Sequence, residues 1–579
     1  MRFSVLVAAA ALILAAPAAT LAQDSGPDAG MAAENRAGPP AHHPEATAAT
    51  DSMAQGGGAG ERVDSGCDEH AGGAPTAQAG EQGAGPRGDP RADRARCRKL
   101  TDADIVTAPI NEVRAVTHHT ATIGGKPVAY TATAGTITIR DDDGKPTASM
   151  FYVAYTTGDA HRPVTFFYNG GPGSSTVWLH MGSLGPVRVL TDSPEATHNA
   201  PYSIVNNDDS LLDKSDLVFL DAVGAGFSRP LGDTKLAAFW GTDPDIDAFA
   251  RGIERWLTIN QRWNAPKFLF GESYGTTRSA GLSYRLQQDG AQLNGVMLLS
   301  SILNYGRRQP GFDQEMVNYL PSYAAAAAYH HKTNAPADMT AYLTEVRAFA
   351  RGPYAEALSQ GQSLPDAERQ AIAQKLSGYI GIPVDYILAA DLRIGPSRFR
   401  KELLRDQRLT LGRYDDRFTG EDVDAAGENP EYDPSDTGMS GAFVSAFHDY
   451  LAHELNFQTD LAYRPTYYAS GVRWDFNHRA EDLGNGGGSN EADVALDLSQ
   501  AMRENPHLLL YSLNGLYDLA TPFFGTEYDL NHMQLDPKLH ANVRFAYYPS
   551  GHMVYLNPAA LHAMKTDLAR FYDEAAPAH

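Results

Sequence analysis

An open α/β sheet, mostly parallel and with helices on both faces, is the architecture the sequence predicts, with a mainly helical cap inserted late in the chain. Three observations point to it. Short apolar runs of the buried-strand type recur from residue 164 onward, and helical patterns lie between them. Between about residues 308 and 500 that rhythm stops. Helical stretches, many aromatic residues and breaks such as ENPEYDPSDTG and EDLGNGGGSN take its place.

The chain has 579 residues, and its first 99 are of another kind. Arg2 precedes the apolar run FSVLVAAAALILAA, followed by PAATLA ending at Ala22. A basic start, an apolar core and a small-residue end make residues 1–22 a secretory signal peptide. The apolar core is too short to span a bilayer, so no membrane anchor is expected. Residues 23–99 are rich in Ala, Gly and Pro, nearly lack β-branched and aromatic residues, and read as a disordered leader. Both cysteines, Cys67 and Cys97, fall there. They have the means for one disulfide but no companions for a metal site, and His42 and His43 add none. An exported chain with so little cysteine suits a bacterial periplasmic or secreted protein.

The charge narrows the partners. There are 47 Lys and Arg against 70 Asp and Glu, a formal net charge of −23. A nucleic-acid surface or an anionic-membrane binder gathers basic residues, so neither is expected.

From residue 100 the elements follow in order. NEVRAVTHHTATI, PVAYTATAGTITI and TASMFYVAYTT are β-branched or alternating runs, the last two joined by RDDDGK with its Asp143-Gly144 turn signal. They predict an antiparallel opening to the sheet. DDDG lacks the remaining ligands of a calcium loop. Buried strands are then read at VTFFY (164–168), DLVFL (216–220), KFLFG (267–271), GVMLLS (295–300), LLLYSL (508–513) and VRFAYY (543–548). Helices are read at 243–263, at 276–290 and from Pro558 to about Tyr572, with further ones around 334–350, 354–375 and 442–459. The α/β domain is therefore assigned to 100–307 and 501–579, and the inserted cap to 308–500. Open α/β sheets bind ligands beyond the carboxyl ends of their strands, where a cap can form half of a pocket.

Gly271-Glu272-Ser273-Tyr274-Gly275 is a G-x-S-x-G entered by a strand pattern and left by a helix pattern. That setting predicts a sharp elbow lifting the Ser273 hydroxyl above the sheet. A serine nucleophile needs a base, and the base an orienting carboxylate. Asp518, just beyond LLLYSL, and His552, just beyond VRFAYY, occupy strand-end loops in the right chain order. His118 and His119 lie in an early strand and His330 and His331 in the insertion, which suits packing or solvent better. After VTFF comes YNGGPGSS, whose side-chain-free Gly170-Gly171 lets backbone approach a reacting carbonyl. The Gly171 N–H is expected to pair with that of Tyr274 as an oxyanion hole. Neither a P-loop lysine nor a dinucleotide G-x-G-x-x-G follows VTFF.

NGGPGSS, LDAVGAGFS (220–228), GESYG, NGLYD and SGHMV, in this order, resemble the serine carboxypeptidase family over roughly 150–575. The resemblance implies an α/β-hydrolase fold and release of C-terminal amino acids from peptides, favoured at acidic pH, with no cofactor and no metal. It implies Ser273 as nucleophile, His552 as base, Asp518 as its acid, Gly171 and Tyr274 as oxyanion donors, and Asn169 and Glu272 as holders of the substrate's terminal carboxylate. A carboxyl–carboxylate hydrogen bond shares one proton, so such binding weakens when both groups ionise. Four positions depart from the family pattern. Phe167 replaces a tryptophan, Ser174 a cysteine, Ala222 a glutamine, and Ser183, in GSLGP, stands where the family has a second carboxylate-binding glutamate. An esterase, an acyltransferase or a broader serine peptidase on the same scaffold therefore stands beside the carboxypeptidase. A noncatalytic binding protein would require a missing triad residue.

Overall fold

The computed structural model describes residues 110–308, 311–467, 473–480 and 491–576; the signal-peptide, leader and cysteine readings fall outside them. Nine strands form one continuous sheet: β1 (Arg114–Ile123), β2 (Lys126–Arg140), β3 (Pro146–Thr156), β4 (Val164–Tyr168), β5 (Asp216–Leu220), β6 (Lys267–Glu272), β7 (Gly295–Leu299), β8 (Leu509–Gly515) and β9 (Val543–Tyr548). Their spatial order is β1-β2-β3-β5-β4-β6-β7-β8-β9, with the short Arg229–Pro230 pairing beside β3. The first three strands and the β3–β5 junction are antiparallel. Every pairing from β5 through β9 is parallel. This mostly parallel sheet with helices around it is the α/β-hydrolase arrangement.

Alternation along the strands sorts side chains onto two faces. Phe167, Phe268 and Phe270 join one core, while Phe166, Tyr168 and Leu269 join the other. Phe167 stacks between Phe219 and Phe270, with ring centroids 4.7 and 4.9 Å away, so β5, β4 and β6 are locked side by side. Truncating such a ring costs about 3–5 kcal/mol.

The helices that frame the site are α1 (Val177–Gly182), α2 (Thr242–Ile259), α3 (Tyr274–Gln288), α4 (Gln314–Tyr329), α5 (Met339–Phe349), α6 (Asp366–Ile380), α7 (Ser440–His453), α8 (Ala495–Glu504), α9 (Phe523–Asn531) and α10 (Pro558–Ala575). Asn557 caps α10 by accepting from the Ala559 and Ala560 amides, and Pro558 opens its first turn. No helix among the described residues is long and apolar enough to cross a membrane.

The interval 308–500 serves several surfaces. Helices α4 to α6 build a third core with Leu519 and Phe523. In contrast, Phe443, Phe447 and Tyr450 of α7 pack into the core that holds Phe167. Leu498 and Ala501 of α8 join the opposite one. The boundary expected at residue 500 falls inside α8, and the helical stretch expected over 354–375 is broken near Gly361, which has φ 54°.

Candidate active site

Strand register sets the site. Tyr168 pairs with Gly271 across β4 and β6, so the turn after β4 and the elbow after β6 emerge side by side. The loops after β8 and β9 leave the same carboxyl edge, where Gly515 pairs with Tyr548.

At the elbow Ser273 has φ 60° and ψ −129°, between the last residue of β6 and the first of α3. A non-glycine residue held there stores roughly 1–3 kcal/mol of strain. The turn is held by the Ser273 amide donating to the Leu299 carbonyl at 3.0 Å and the Thr276 amide donating to the Ser273 carbonyl at 2.8 Å. It is possible because residue 271 has no side chain: a Cβ there would lie 2.1 Å from the Gly275 carbonyl oxygen.

His552 Nδ1 lies 2.7 Å from Asp518 Oδ2. Both side chains are buried. Asp518 Oδ1 accepts from the amides of Ala520 (2.7 Å) and Thr521 (2.9 Å), which fix the carboxylate. The Thr521 hydroxyl, 2.7 Å from Asp518 Oδ2 and 3.1 Å from His552 Nδ1, bridges the pair. Ser300 donates to the His552 carbonyl at 2.6 Å, and the His552 amide donates to the Tyr414 carbonyl at 2.5 Å. Burial pushes the imidazole toward neutrality, but the charge and hydrogen bond of Asp518, aided by Glu272, outweigh it, and His552 is raised above its ordinary value. Nδ1 is thus committed to Asp518, while Nε2 is buried without a protein partner. Ser273 and His552 line one cleft.

Asn169, Gly170, Gly171 and Glu272 line the same cleft. Asp518 stands behind His552. Tyr274 is not among the residues lining the cleft, but its backbone nitrogen lies against Gly170, which is, and as the first residue of α3 its N–H has no intrahelical acceptor. Its ring turns away to meet Trp474 edge-on at 5.2 Å. Gly171, at φ 102°, turns the chain beside it.

Glu272 is 3% exposed. Burial raises its carboxyl to about 7, against the lowering effects of His552, Tyr555 and Asn169. Asn169 is held from two sides. Its Oδ1 accepts from the Leu179 amide at 3.0 Å, and its carbonyl accepts from Arg278 at 2.7 Å. Arg278 is fully buried, forked onto Asp245 at 2.7 and 3.1 Å and seated 4.0 Å over the Phe249 ring. Ser183 is also buried, but its hydroxyl donates to the Leu179 carbonyl at 2.5 Å.

The rest of the cleft is mostly apolar. Trp178, Ile302, Tyr305, Met439, Phe476 and Met553 form its walls, with Arg413 and Asp436 as charged members. Thr521, Ser300, Tyr414 and the Arg278–Asp245 pair escaped sequence reasoning, because each acts through partners distant in the chain. Chemically, the arrangement offers a hydroxyl on a strained turn, an imidazole with one free nitrogen, backbone donors at the turn after β4, and an acidic group beside them.

Residues 124–317 match the family model described as serine carboxypeptidase. That segment contains the elbow and the double-glycine turn and ends before Asp518 and His552. Serine carboxypeptidase-like 34 of Arabidopsis thaliana is 26% identical over 234 residues, covering 37% of this chain and 43% of that protein. The chain therefore spans less than half the length of this curated relative. Among solved structures, KEX1(delta)p, a prohormone-processing carboxypeptidase from Saccharomyces cerevisiae, aligns with a TM-score of 0.47 at 15% identity, covering 77% of this chain and 91% of that one. A proline iminopeptidase of Mycobacterium smegmatis aligns with a TM-score of 0.30 at 13% identity, covering 76% and 98%.

Proposed function

We propose that this protein is a serine carboxypeptidase that removes C-terminal amino acids from peptides. Ser273 Oγ attacks the last peptide carbonyl while His552 Nε2 takes its proton. The negative oxygen is met by the amides of Gly171 and Tyr274. As the C–N bond breaks, His552 returns the proton to the departing amine and leaves an acyl ester on Ser273. Water, deprotonated by His552, then releases the shortened peptide. Asp518 keeps the imidazole in the required tautomer throughout.

One observation carries the exopeptidase reading: a buried acidic side chain, Glu272, lines the cleft next to the nucleophile with Asn169 beside it. Protonated, Glu272 donates to the substrate's terminal carboxylate; ionised, it repels it. Binding of free ends is accordingly favoured below about pH 7, where Glu272 keeps its proton, while turnover still needs the neutral His552.

A second reading, esterase or acyl transfer on the same triad, is favoured by Ser183. Its hydroxyl is spent on Leu179, so α1 supplies no second acidic group to the clamp. Mass spectrometry of timed digests separates the two readings. Peptides with free ends should lose residues one at a time while amidated twins persist. Internal cleavage of both at equal rate would overturn the carboxypeptidase reading. We also propose export through residues 1–22; N-terminal sequencing of secreted protein tests cleavage after Ala22, and retention of Met1 would overturn it.

A further inference from the structure

Two buried oxygens near the nucleophile lack a satisfied hydrogen bond: Glu272 Oε2 and the Tyr555 hydroxyl. Their side chains are 3% and 2% exposed. Unpaired polar atoms at such depth cost about 1–3 kcal/mol each, so a structure retaining two of them side by side calls for an explanation.

Tyr555 lies in the helical turn Val554–Leu556, three residues beyond His552. Its ring occupies the space over Gly182, where a Cβ would come within 2.7 Å of it. The missing side chain at the end of α1 therefore leaves room for the phenol ring. The hydroxyl faces Glu272 and Asn169. The charged and titratable groups acting on Glu272 are His552, Asp518 and Tyr555, with Arg413 elsewhere on the cleft wall. Tyr555 is the neutral donor among them. Burial and the neighbouring Glu272 hold its own proton far above the ordinary tyrosine range, so it remains a donor at every working pH.

We propose that Tyr555 is a positioning residue for the Glu272 carboxyl. Its O–H donates to Oε2, which leaves the acidic proton on the other oxygen, toward the cleft, where it donates to the substrate's C-terminal carboxylate. A carboxylic acid carries one proton, and a donor fixed on one oxygen decides which oxygen bears it. Because the donor is a phenol, the clamp has one titrating acid and a single alkaline limb. The inference rests on the carboxypeptidase reading and names what makes its clamp directional.

The test is kcat/KM against pH for a free-ended peptide and for a matched ester lacking the terminal carboxylate, in wild type, Tyr555→Phe, Glu272→Ala and the double variant. Tyr555→Phe removes a single oxygen and keeps the packing ring. It should raise KM for the free-ended peptide about tenfold, roughly the loss of one charge-assisted hydrogen bond. It should also move the alkaline limb upward by about half to one pH unit, since a donor to the ionised carboxylate is gone. The ester should be turned over within about twofold of wild type, because it does not use the clamp. In the Glu272→Ala background Tyr555→Phe should have no further effect. An equal loss on both substrates, an unmoved limb, or an undiminished loss in the Glu272→Ala background would overturn the assignment of Tyr555. A wild-type enzyme indifferent to the free end would instead overturn the carboxypeptidase reading, and this inference with it.

Discussion

A Cβ on Gly170 would lie 2.3 Å from the backbone nitrogen of Tyr274. The turn after β4 thus rests directly on the start of α3, and the two are packed as one unit around the place where a substrate oxygen would develop charge. Gly170→Ala must push them apart. A drop in kcat of about 10²–10³-fold is expected, the size seen when an oxyanion donor is lost. Gly352→Ala, with nothing within 4 Å of the added methyl, should leave kcat unchanged and serves as control. Steady-state kinetics on a chromogenic ester reads both.

The pH profile should divide by substrate. His552 is raised above its usual value by Asp518 despite its burial, and only the neutral ring accepts a proton from Ser273. Activity on any substrate should therefore fall as pH drops through that raised value. Glu272, raised by burial to about 7, adds a second limb for free-ended peptides alone, whose binding is lost as pH rises through it. An ester without a terminal carboxylate should rise to a plateau. Because the two groups influence one another, the limbs report the pair. Profiles of the same shape for both substrates would refute a carboxylate clamp.

His478 ties the segment 473–480 to the body of the protein. Its Nδ1 lies 2.6 Å from Asp243 in the first turn of α2 and its Nε2 2.7 Å from Asp497 in α8. Burial would lower it, but the two carboxylates raise it to about 10. The folded value exceeds the unfolded one, so this stabilisation is complete below about pH 6.5, declines as pH rises and is gone above about 10. His478→Gln should cost on the order of 3 kcal/mol near pH 6, since Asp497 stays buried without its cation. Thermal melts should show the difference shrinking toward pH 10. Phe476, in the same segment, faces Tyr305 at 4.8 Å across the cleft wall, so KM should rise as well.

Much of this was legible in the chain because it is local. Apolar runs such as VTFFY and DLVFL are strands since both sheet faces are covered, and VRFAYY coincides with β9. Ser273, Asp518 and His552 each follow a strand, and parallel strands deliver their ends to one edge. What escaped is nonlocal. Nothing around Thr521 in the chain marks it as lying 3.1 Å from His552. Nothing in the helical pattern after the elbow marks Arg278 as the buried partner of Asp245 in α2. Residues 308–500 have no single period because their helices answer to three different cores, and α7 packs on the sheet rather than with α4 to α6.

Ser273 should form the acyl-enzyme through His552. Labelling with a fluorophosphonate, followed by intact mass and peptide mapping, tests it most directly. One adduct is expected, on the peptide containing residues 271–275, with activity lost in proportion to labelling and no adduct on Ser273→Ala. An adduct on another residue, or a Ser273→Ala protein that still hydrolyses ester and peptide, would contradict the account.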